Sequence, residues 1–144
     1  RIVGSDAIDN VIRLQMFQGS YVEVKKLTSL DNEAIKGLLT ADDDRQSYYL
    51  DIEKNSYIYS HDMYYDTGTG LYFMSTDFRI EYVEDVDKKF KELEKNCWNN
   101  QKGDLVVFSH EWALNVENKE KIEKVCKYAI EKGYRFEFFE DVLK

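Results

Sequence analysis

The chain has 144 residues, of which 43% are hydrophobic and 33% are charged, a composition typical of an ordinary soluble globular domain. Its 28 acidic residues outnumber 20 basic ones, which gives a formal net charge of −8. Such a chain repels phosphate backbones, which argues against nucleic acid as a partner. Its apolar runs are much shorter than the roughly 20 residues of a bilayer span, which argues against a membrane partner.

The cysteine content and the first residues bear on the cellular compartment. Cys97 and Cys126 form neither a CxxC redox motif nor a disulfide framework, which predicts a cytoplasmic location. The chain begins at Arg1 without an initiator methionine, and Ile2 and Val3 already have the character of buried structure. These features predict a fragment or processed product, and they leave an N-terminal targeting segment open as an alternative.

The first part of the chain predicts two strands separated by a helix. Apolar and polar residues alternate from Val11 to Phe17, which is the period of a strand. Ser20 then precedes Tyr21 at the position of a helix N-cap. The apolar segment Ile35 to Leu39 predicts a short strand that runs directly into TADDDR.

The middle of the chain predicts a weak helix and then a β-hairpin. The helix is expected from Asp51 to about Tyr59. Two aromatic-rich segments, MYY and LYFMS, flank a glycine-containing loop at Asp66 to Gly70. Two strand-like segments around such a loop indicate a hairpin, which we expect as an insertion into a larger α/β arrangement.

The final part of the chain predicts an α-β-α-β succession. Glu84 to Lys95 and Glu117 to Lys132 carry amphipathic helical patterns, and Gly133 follows the second as a C-cap. Leu105 to Ser109 predicts a buried strand, and Tyr134 to Phe139 predicts a closing strand. The nearly continuous apolar segment LVVF is typical of a parallel strand covered on both faces. One α/β domain spanning residues 1–144 is therefore the predicted organisation.

Polar residues occur where three of the predicted strands end. Arg13 lies in the first strand, the run Thr40 to Arg45 follows the second, and the run Ser109 to Trp112 follows LVVF. Each of these segments by itself has a purely structural interpretation. Aspartates commonly cap helices, and a lone histidine commonly forms hydrogen bonds with neighbouring residues. Ligand sites of parallel α/β sheets lie beyond the carboxyl ends of strands, so the three positions together favour a functional site.

The same segments carry a resemblance to a known family. IRLQMF, GLLTADDDR and VVFSHEWAL, in that order, resemble the later part of polysaccharide deacetylase-like proteins, and more closely an uncharacterised bacterial branch of that deformed (β/α)-barrel superfamily. That branch also has a TD-R-E segment, which corresponds here to Thr76 to Glu81. A complete barrel needs roughly 200 residues or more. The resemblance therefore implies a partial (β/α)-barrel-like parallel sheet with flanking helices and an inserted β-hairpin, as in the C-terminal half of a larger barrel.

The resemblance implies a hydrolase that acts on acetylated carbohydrate. It implies that His110 protonates the leaving group, that one of Asp42 to Asp44 orients His110, and that Arg13 anchors the site electrostatically. Within the aspartate run, Asp43 is the candidate catalytic residue. A histidine suits the proton transfer because its pKa lies near neutrality. Trp112 would offer an apolar platform for a sugar ring. The predicted substrate-binding residues are Asp42, Asp44, Arg45, Glu111, Trp112, Asp77 and Arg79.

The family's divalent metal is not expected in this chain. The metal ligands of the family precede every segment present here, and the chain has only two histidines, His61 and His110. A catalytic zinc takes three protein ligands. We therefore predict no cofactor here, a zinc-like metal in the full-length protein, and no activity for this chain alone. The exposed sheet of a half-barrel also predicts a homodimer or some other local closure of the sheet.

Two other functions are open from the sequence. A non-catalytic module on a degenerate barrel scaffold, binding a saccharide or a protein, is favoured by 11 tyrosines and by the segment YIYSHDMYY. Packing of these tyrosines in the core is the structural alternative. The other possibility is a small phosphate-binding α/β protein that is unrelated to the family. It is disfavoured, since the aspartate run would repel phosphate unless a metal ion bridged the carboxylates and the phosphate.

Overall fold

The computed structural model describes residues 10–29, 35–43, 45–97 and 103–143. The chain divides into a first unit, residues 1–75 with 137–144, and a second unit, residues 76–136. The architecture is mixed α/β. The α-helices of the described residues are α1 (Tyr21–Leu27), α2 (Ile52–His61), α3 (Val86–Cys97), α4 (Val116–Glu131) and α5 (Phe139–Val142). None of these helices is long and apolar enough to cross a membrane.

A mostly parallel four-stranded sheet forms the centre of the first unit. Its strands are β1 (Val11–Ile12), β2 (Gly37–Leu39), β3 (Met63–Asp66) and β4 (Leu71–Met74), in the order β1-β2-β4-β3. The β1–β2 and β2–β4 pairs are parallel, and β3 is antiparallel to β4. This confirms the predicted hairpin and the parallel character of the sheet. The strands of the described residues do not close into a barrel.

Side chains hold the hairpin loop and the start of α1 as their sequences predict. Asp66 Oδ2 accepts hydrogen bonds from the Thr69 backbone N–H at 2.9 Å and from the Tyr49 hydroxyl at 2.7 Å. Ser20 and Glu23 form a reciprocal capping box, in which the Ser20 N–H donates to Glu23 Oε2 at 2.8 Å. The predicted Ser20 cap is therefore confirmed.

The predicted first strand, Val11 to Phe17, is wrong in its second half. The strand ends at Ile12, and residues 15–17 form a 3-10 turn in which Met16 and Phe17 have left-handed φ angles of 55° and 57°. The turn buries Phe17, which is 1% exposed, and its carbonyl accepts from the Tyr48 N–H at 2.7 Å. Core burial of Phe17 outweighs the alternating pattern that predicted an extended strand.

The close approach of the parallel strands makes Gly37 sensitive to substitution. A Cβ atom at Gly37 would lie 3.0 Å from the Tyr72 carbonyl oxygen and 3.2 Å from Val11 Cγ2. We expect Gly37→Ala to lower the free energy of unfolding by about 1–3 kcal/mol, because backbone must shift to admit the methyl group. Urea denaturation measures this loss. Gly103→Ala is the control, since its Cβ would have no neighbour within 4 Å among the described residues. Equal stability of the two variants would contradict the expectation.

The second unit packs helices α3 and α4 against a short parallel strand pair. The strands are β5 (Phe78–Arg79) and β6 (Val107–Phe108). The rings of Phe90 in α3 and Tyr128 in α4 stack with centroids 3.8 Å apart. The buried cluster consists of Phe78, Ile80, Val86, Phe90, Leu93 and Val125. The two predicted amphipathic helices are therefore confirmed, and Gly133, with φ of 81°, ends α4 as predicted. The strand predicted from Leu105 to Ser109 is found only at Val107–Phe108, and these two residues are half-buried rather than covered on both faces.

The predicted closing strand, Tyr134 to Phe139, is not found. Residues 134–138 have no regular secondary structure, and Phe139 begins helix α5. Phe136 and Phe138 are 68% and 50% exposed. The alternating pattern of YRFEFF is that of a strand, but a strand also needs a neighbouring ladder, which the described residues do not provide at this segment.

Candidate functional site

The carboxyl ends of β5 and β6 bring an acid and a histidine together in the second unit. Arg79 ends β5 and is followed by a 3-10 turn that contains Glu81, while His110 lies two residues beyond the end of β6. Because the strands are parallel neighbours, both segments leave the pair at the same edge. His110 Nδ1 forms a hydrogen bond with Glu81 Oε1. The His110 side chain is 18% exposed and the Glu81 side chain is 6% exposed.

The charge of Glu81 determines how this pair can transfer a proton. Burial raises the pKa of Glu81, but the hydrogen bond and the charge interaction with His110 lower it more, so its pKa lies below the ordinary value. Glu81 is therefore ionised at neutral pH, and Nδ1 of His110 must be the hydrogen-bond donor. In the neutral imidazole this leaves the basic lone pair on Nε2. A carboxylate that holds one ring nitrogen in this way orients the other for general acid–base chemistry.

Two aromatic rings contact the imidazole of His110. The Trp112 ring stacks on the His110 ring with centroids 4.9 Å apart and an interplanar angle of 20°. The Phe108 ring meets the same imidazole nearly edge-on, with centroids 5.5 Å apart. Trp112 is 71% exposed, and it lies with exposed Glu111 in a 3-10 turn. Trp112 therefore presents a large apolar face beside a histidine that can carry a proton.

The guanidinium of Arg79 contacts two aromatic rings, one of which is the Phe108 ring beside His110. Its guanidinium carbon lies 4.4 Å from the centre of the Tyr82 ring and 5.7 Å from the centre of the Phe108 ring. Arg79 is 6% exposed, whereas Tyr82 is 66% exposed. The described contacts thus run from Tyr82 through Arg79, Phe108 and His110 to Trp112.

Asp77 connects the two strands at the amino end of the pair. Its Oδ2 atom accepts a hydrogen bond from the Val106 backbone N–H at 2.7 Å. Its own N–H donates to the Val106 carbonyl oxygen at 2.8 Å. Asp77 is 3% exposed. These contacts give it a structural role, and the substrate contact predicted for Asp77 stays a prediction.

The first unit carries the second group of predicted site residues. Arg13 follows β1 and the run from Thr40 follows β2, so parallel pairing brings both segments to one edge of the sheet. Asp43 and Arg45 form a bidentate ion pair, with Asp43 Oδ2 2.6 Å from Arg45 Nη2 and Asp43 Oδ1 2.7 Å from Arg45 Nε. The Arg13 guanidinium carbon lies 5.4 Å from the centre of the Phe17 ring. Asp42 is half-buried.

Tyr48 anchors the same edge of the first unit. Its hydroxyl donates to the Leu39 carbonyl oxygen at 2.7 Å, at the end of β2. Burial raises the pKa of Tyr48 to about 12, although the Leu14 N–H and the charge of Arg13 partly offset it. Its φ angle of 56° is left-handed, as are those of Met16 and Phe17. Tyr48 is thus a neutral side chain whose hydroxyl donates a hydrogen bond to the last residue of β2.

The structure distributes the predicted residues between the two units. Arg13, Asp42, Asp43 and Arg45 belong to the first unit, whereas Asp77, Arg79, His110, Glu111 and Trp112 belong to the second. Asp44 lies outside the described residues.

The structure pairs His110 with a carboxylate that the site prediction omitted. We expected an aspartate of the run 42–44 to orient His110, whereas the carboxylate bonded to its Nδ1 atom is Glu81. Glu81 was absent from the predicted site residues. It is the last residue of the TD-R-E segment, and that position was the available signal.

The described residues do not fit the metal centre that the resemblance implies for the full-length protein. They contain no group of three or more His, Cys, Asp or Glu side chains that could hold a metal ion. His61 Nδ1 lies 2.8 Å from the Ser60 hydroxyl, and the His61 ring stacks on Tyr57 with centroids 4.1 Å apart. These contacts explain His61 structurally. Glu81 and His110 remain as the residues with a geometry for proton transfer.

Comparisons with protein-family models, curated proteins and solved structures give no match to the chain. The resemblance to polysaccharide deacetylase-like proteins therefore stays a prediction from the motifs. The chemistry of the site is interpreted from the geometry of Glu81, His110 and Trp112.

Proposed function

We propose that the protein is the substrate-side part of a polysaccharide deacetylase-like hydrolase that acts on acetylated carbohydrate. The observation that carries this proposal is the Glu81–His110 hydrogen bond beside the exposed face of Trp112. The pair supplies a proton donor, and the indole supplies a platform for a sugar ring. The parallel strands of both units are consistent with a partial (β/α)-barrel-like scaffold, which belongs to the same proposal.

In the proposed reaction His110 acts as the general acid. Hydrolysis forms a bond between a water oxygen and the acetyl carbonyl carbon, breaks the bond from that carbon to the sugar oxygen or nitrogen, and releases acetate, and the departing alcohol or amine requires a proton. Nε2 of the protonated imidazole donates that proton. Glu81 keeps the ring oriented and stabilises the imidazolium before the transfer, as a carboxylate does beside a catalytic histidine. Glu81 is therefore a positioning residue and His110 is the proposed catalytic residue.

Acetate release from an acetylated oligosaccharide tests the proposal, and it is measured on the full-length protein, because the segment that would carry the metal ligands is needed for turnover. We expect His110→Gln to lower kcat by about 100-fold or more, which is the usual contribution of a positioned proton donor. Phe136→Ala is the control, since it removes an exposed aromatic ring that takes no part in the described contacts of Glu81, His110 and Trp112.

The proposal fails if the parent protein neither binds acetylated saccharides nor releases acetate from them. It also fails if His110→Gln retains the rate of the parent. Glu81→Gln should lower kcat with little change in KM, because it acts through His110 rather than by contact with substrate.

A non-catalytic saccharide-binding module is the second candidate. Two observations favour it: the exposed rings of Trp112 and Tyr82, and the lack of a metal-ligand group among the described side chains. Such a module would bind oligosaccharide without releasing acetate, and His110→Gln would leave its affinity within a few fold. Combined binding and acetate measurements therefore separate the two functions.

A further inference from the structure

Two exposed aromatic rings of the second unit share an unusual arrangement. The Tyr82 ring has the Arg79 guanidinium 4.4 Å from its centre, and the Trp112 ring has the His110 imidazole stacked on it at 4.9 Å. Tyr82 and Trp112 are nevertheless 66% and 71% exposed. Each ring is therefore covered on one face by a planar nitrogen-containing group, and its other face is open to solvent.

The groups that cover one face of Tyr82 and of Trp112 hold both rings in a fixed orientation. Arg79 is 6% exposed, and the His110 side chain is held by Glu81, so both supporting groups are themselves anchored. A ligand that packs on either ring consequently pays little of the ordering cost that a freely rotating surface side chain would impose. Rings held in this way are suited to a flat apolar ligand surface.

The nitrogen-containing groups that cover one face of each ring determine which ligands the open face favours. An aromatic face attracts cations through its negative π density, and a guanidinium on one face of Tyr82 already uses that attraction. A second cation on the opposite face would also be repelled by Arg79, and at Trp112 by His110 when it is protonated. The arrangement thus favours a neutral ligand with flat C–H faces, such as an uncharged pyranose ring.

We infer that Tyr82 is a second sugar platform, and that the site recognises at least two linked, uncharged sugar rings. This inference rests on the proposed function and extends it to Tyr82, to which it gives the role of a specificity-determining residue. A succession of contacts from Tyr82 through Arg79, Phe108 and His110 to Trp112 connects the two platforms. His110 stacks on Trp112, so a sugar ring bound on the open face of Trp112 lies next to the residue that carries the proton donor.

Calorimetric titrations of the protein with three saccharides test the inference. The probes are N-acetylglucosamine, its N-acetylated trisaccharide and the de-N-acetylated, cationic trisaccharide. We expect the neutral trisaccharide to bind about tenfold more tightly than the monosaccharide. Tyr82→Ala should remove this advantage, a loss of about tenfold as for a typical aromatic contact, and leave monosaccharide affinity within twofold. Trp112→Ala should weaken both ligands, and the exposed-ring control Phe136→Ala should weaken neither.

Each other outcome has a defined meaning. If Tyr82→Ala binds the trisaccharide as the parent does while Trp112→Ala loses binding, the second platform is wrong and the proposed function stands. If the cationic trisaccharide binds as tightly as the neutral one at 0.15 M salt, the selection for uncharged rings is wrong. If the parent binds none of the saccharides, both the inference and the proposed function fail.

Discussion

Glu81→Ala is expected to lower the free energy of unfolding by about 2–3 kcal/mol, because it leaves His110 largely buried without its carboxylate. The two side chains are 6% and 18% exposed, so water replaces the lost hydrogen bond poorly. Glu81→Gln is the matched variant, since it keeps the shape and one hydrogen-bond acceptor but not the charge. It should lose less stability than alanine. Urea denaturation at pH 7 measures both losses.

The same pair gives a pH dependence whose sign follows from the pKa of Glu81. Its folded pKa lies below the ordinary value of 4.5. The contribution of Glu81 to stability is therefore complete above the ordinary pKa and is lost as the pH falls through the lower, folded value. Several other carboxylates titrate in this range, so the informative quantity is the difference between the parent and Glu81→Gln. That difference should shrink as the pH falls below about 4.5. A difference independent of pH would contradict the role assigned to Glu81.

Phe73→Ala is expected to have the largest effect on stability in the first unit, a loss of about 3–5 kcal/mol. Phe73 is fully buried at the centre of β4. Its ring centre lies 5.7 Å from that of Tyr48 and 5.8 Å from that of Tyr49. Removal of the ring leaves a cavity and also removes two aromatic contacts. Denaturation by guanidinium, followed through amide hydrogen exchange in β2 and β4, measures the loss.

Tyr65→Ala is the control for Phe73→Ala. Tyr65 lies in β3 of the same sheet, is 47% exposed and contacts Tyr72, with ring centres 4.8 Å apart. An exposed side chain contributes less than about 1 kcal/mol in most proteins. If both variants lose similar stability, Phe73 is not the centre of the core that its burial indicates.

Local signals in the sequence predicted most of the secondary structure. The Ser20 cap, the DTGTG hairpin and the Gly133 helix end each depend on a few adjacent residues, and each is present. The amphipathic patterns of α3 and α4 were equally reliable, because a helix that buries one face shows it at a regular spacing. Errors occurred where distant contacts decide the conformation. Phe17 leaves its strand to enter the core, and YRFEFF has no ladder partner among the described strands.

In the candidate site, too, the features that depend on adjacent residues were predictable from the sequence, and the contact between distant segments was not. The strand-end position of His110 and the adjacent Trp112 were visible in the run SHEW. The pairing of His110 with Glu81 depends on the parallel alignment of β5 and β6, which joins segments 29 residues apart. From the sequence alone, several carboxylates were equally plausible hydrogen-bond partners of His110. Only the strand register selects Glu81 among them.

The strand order β1-β2-β4-β3 also has a consequence for how the first unit folds. β2 lies between β1 and β4, and β4 follows both along the chain. During synthesis, β1 and β2 are therefore complete before β4, which pairs with the other edge of β2, has been made. The β3–β4 hairpin closes over the short loop of residues 67–70, whereas β1 and β2 are separated by helix α1, and local pairs close with the smallest loss of chain entropy. We therefore expect the aromatic hairpin to form before the two parallel strand pairs when the complete chain refolds.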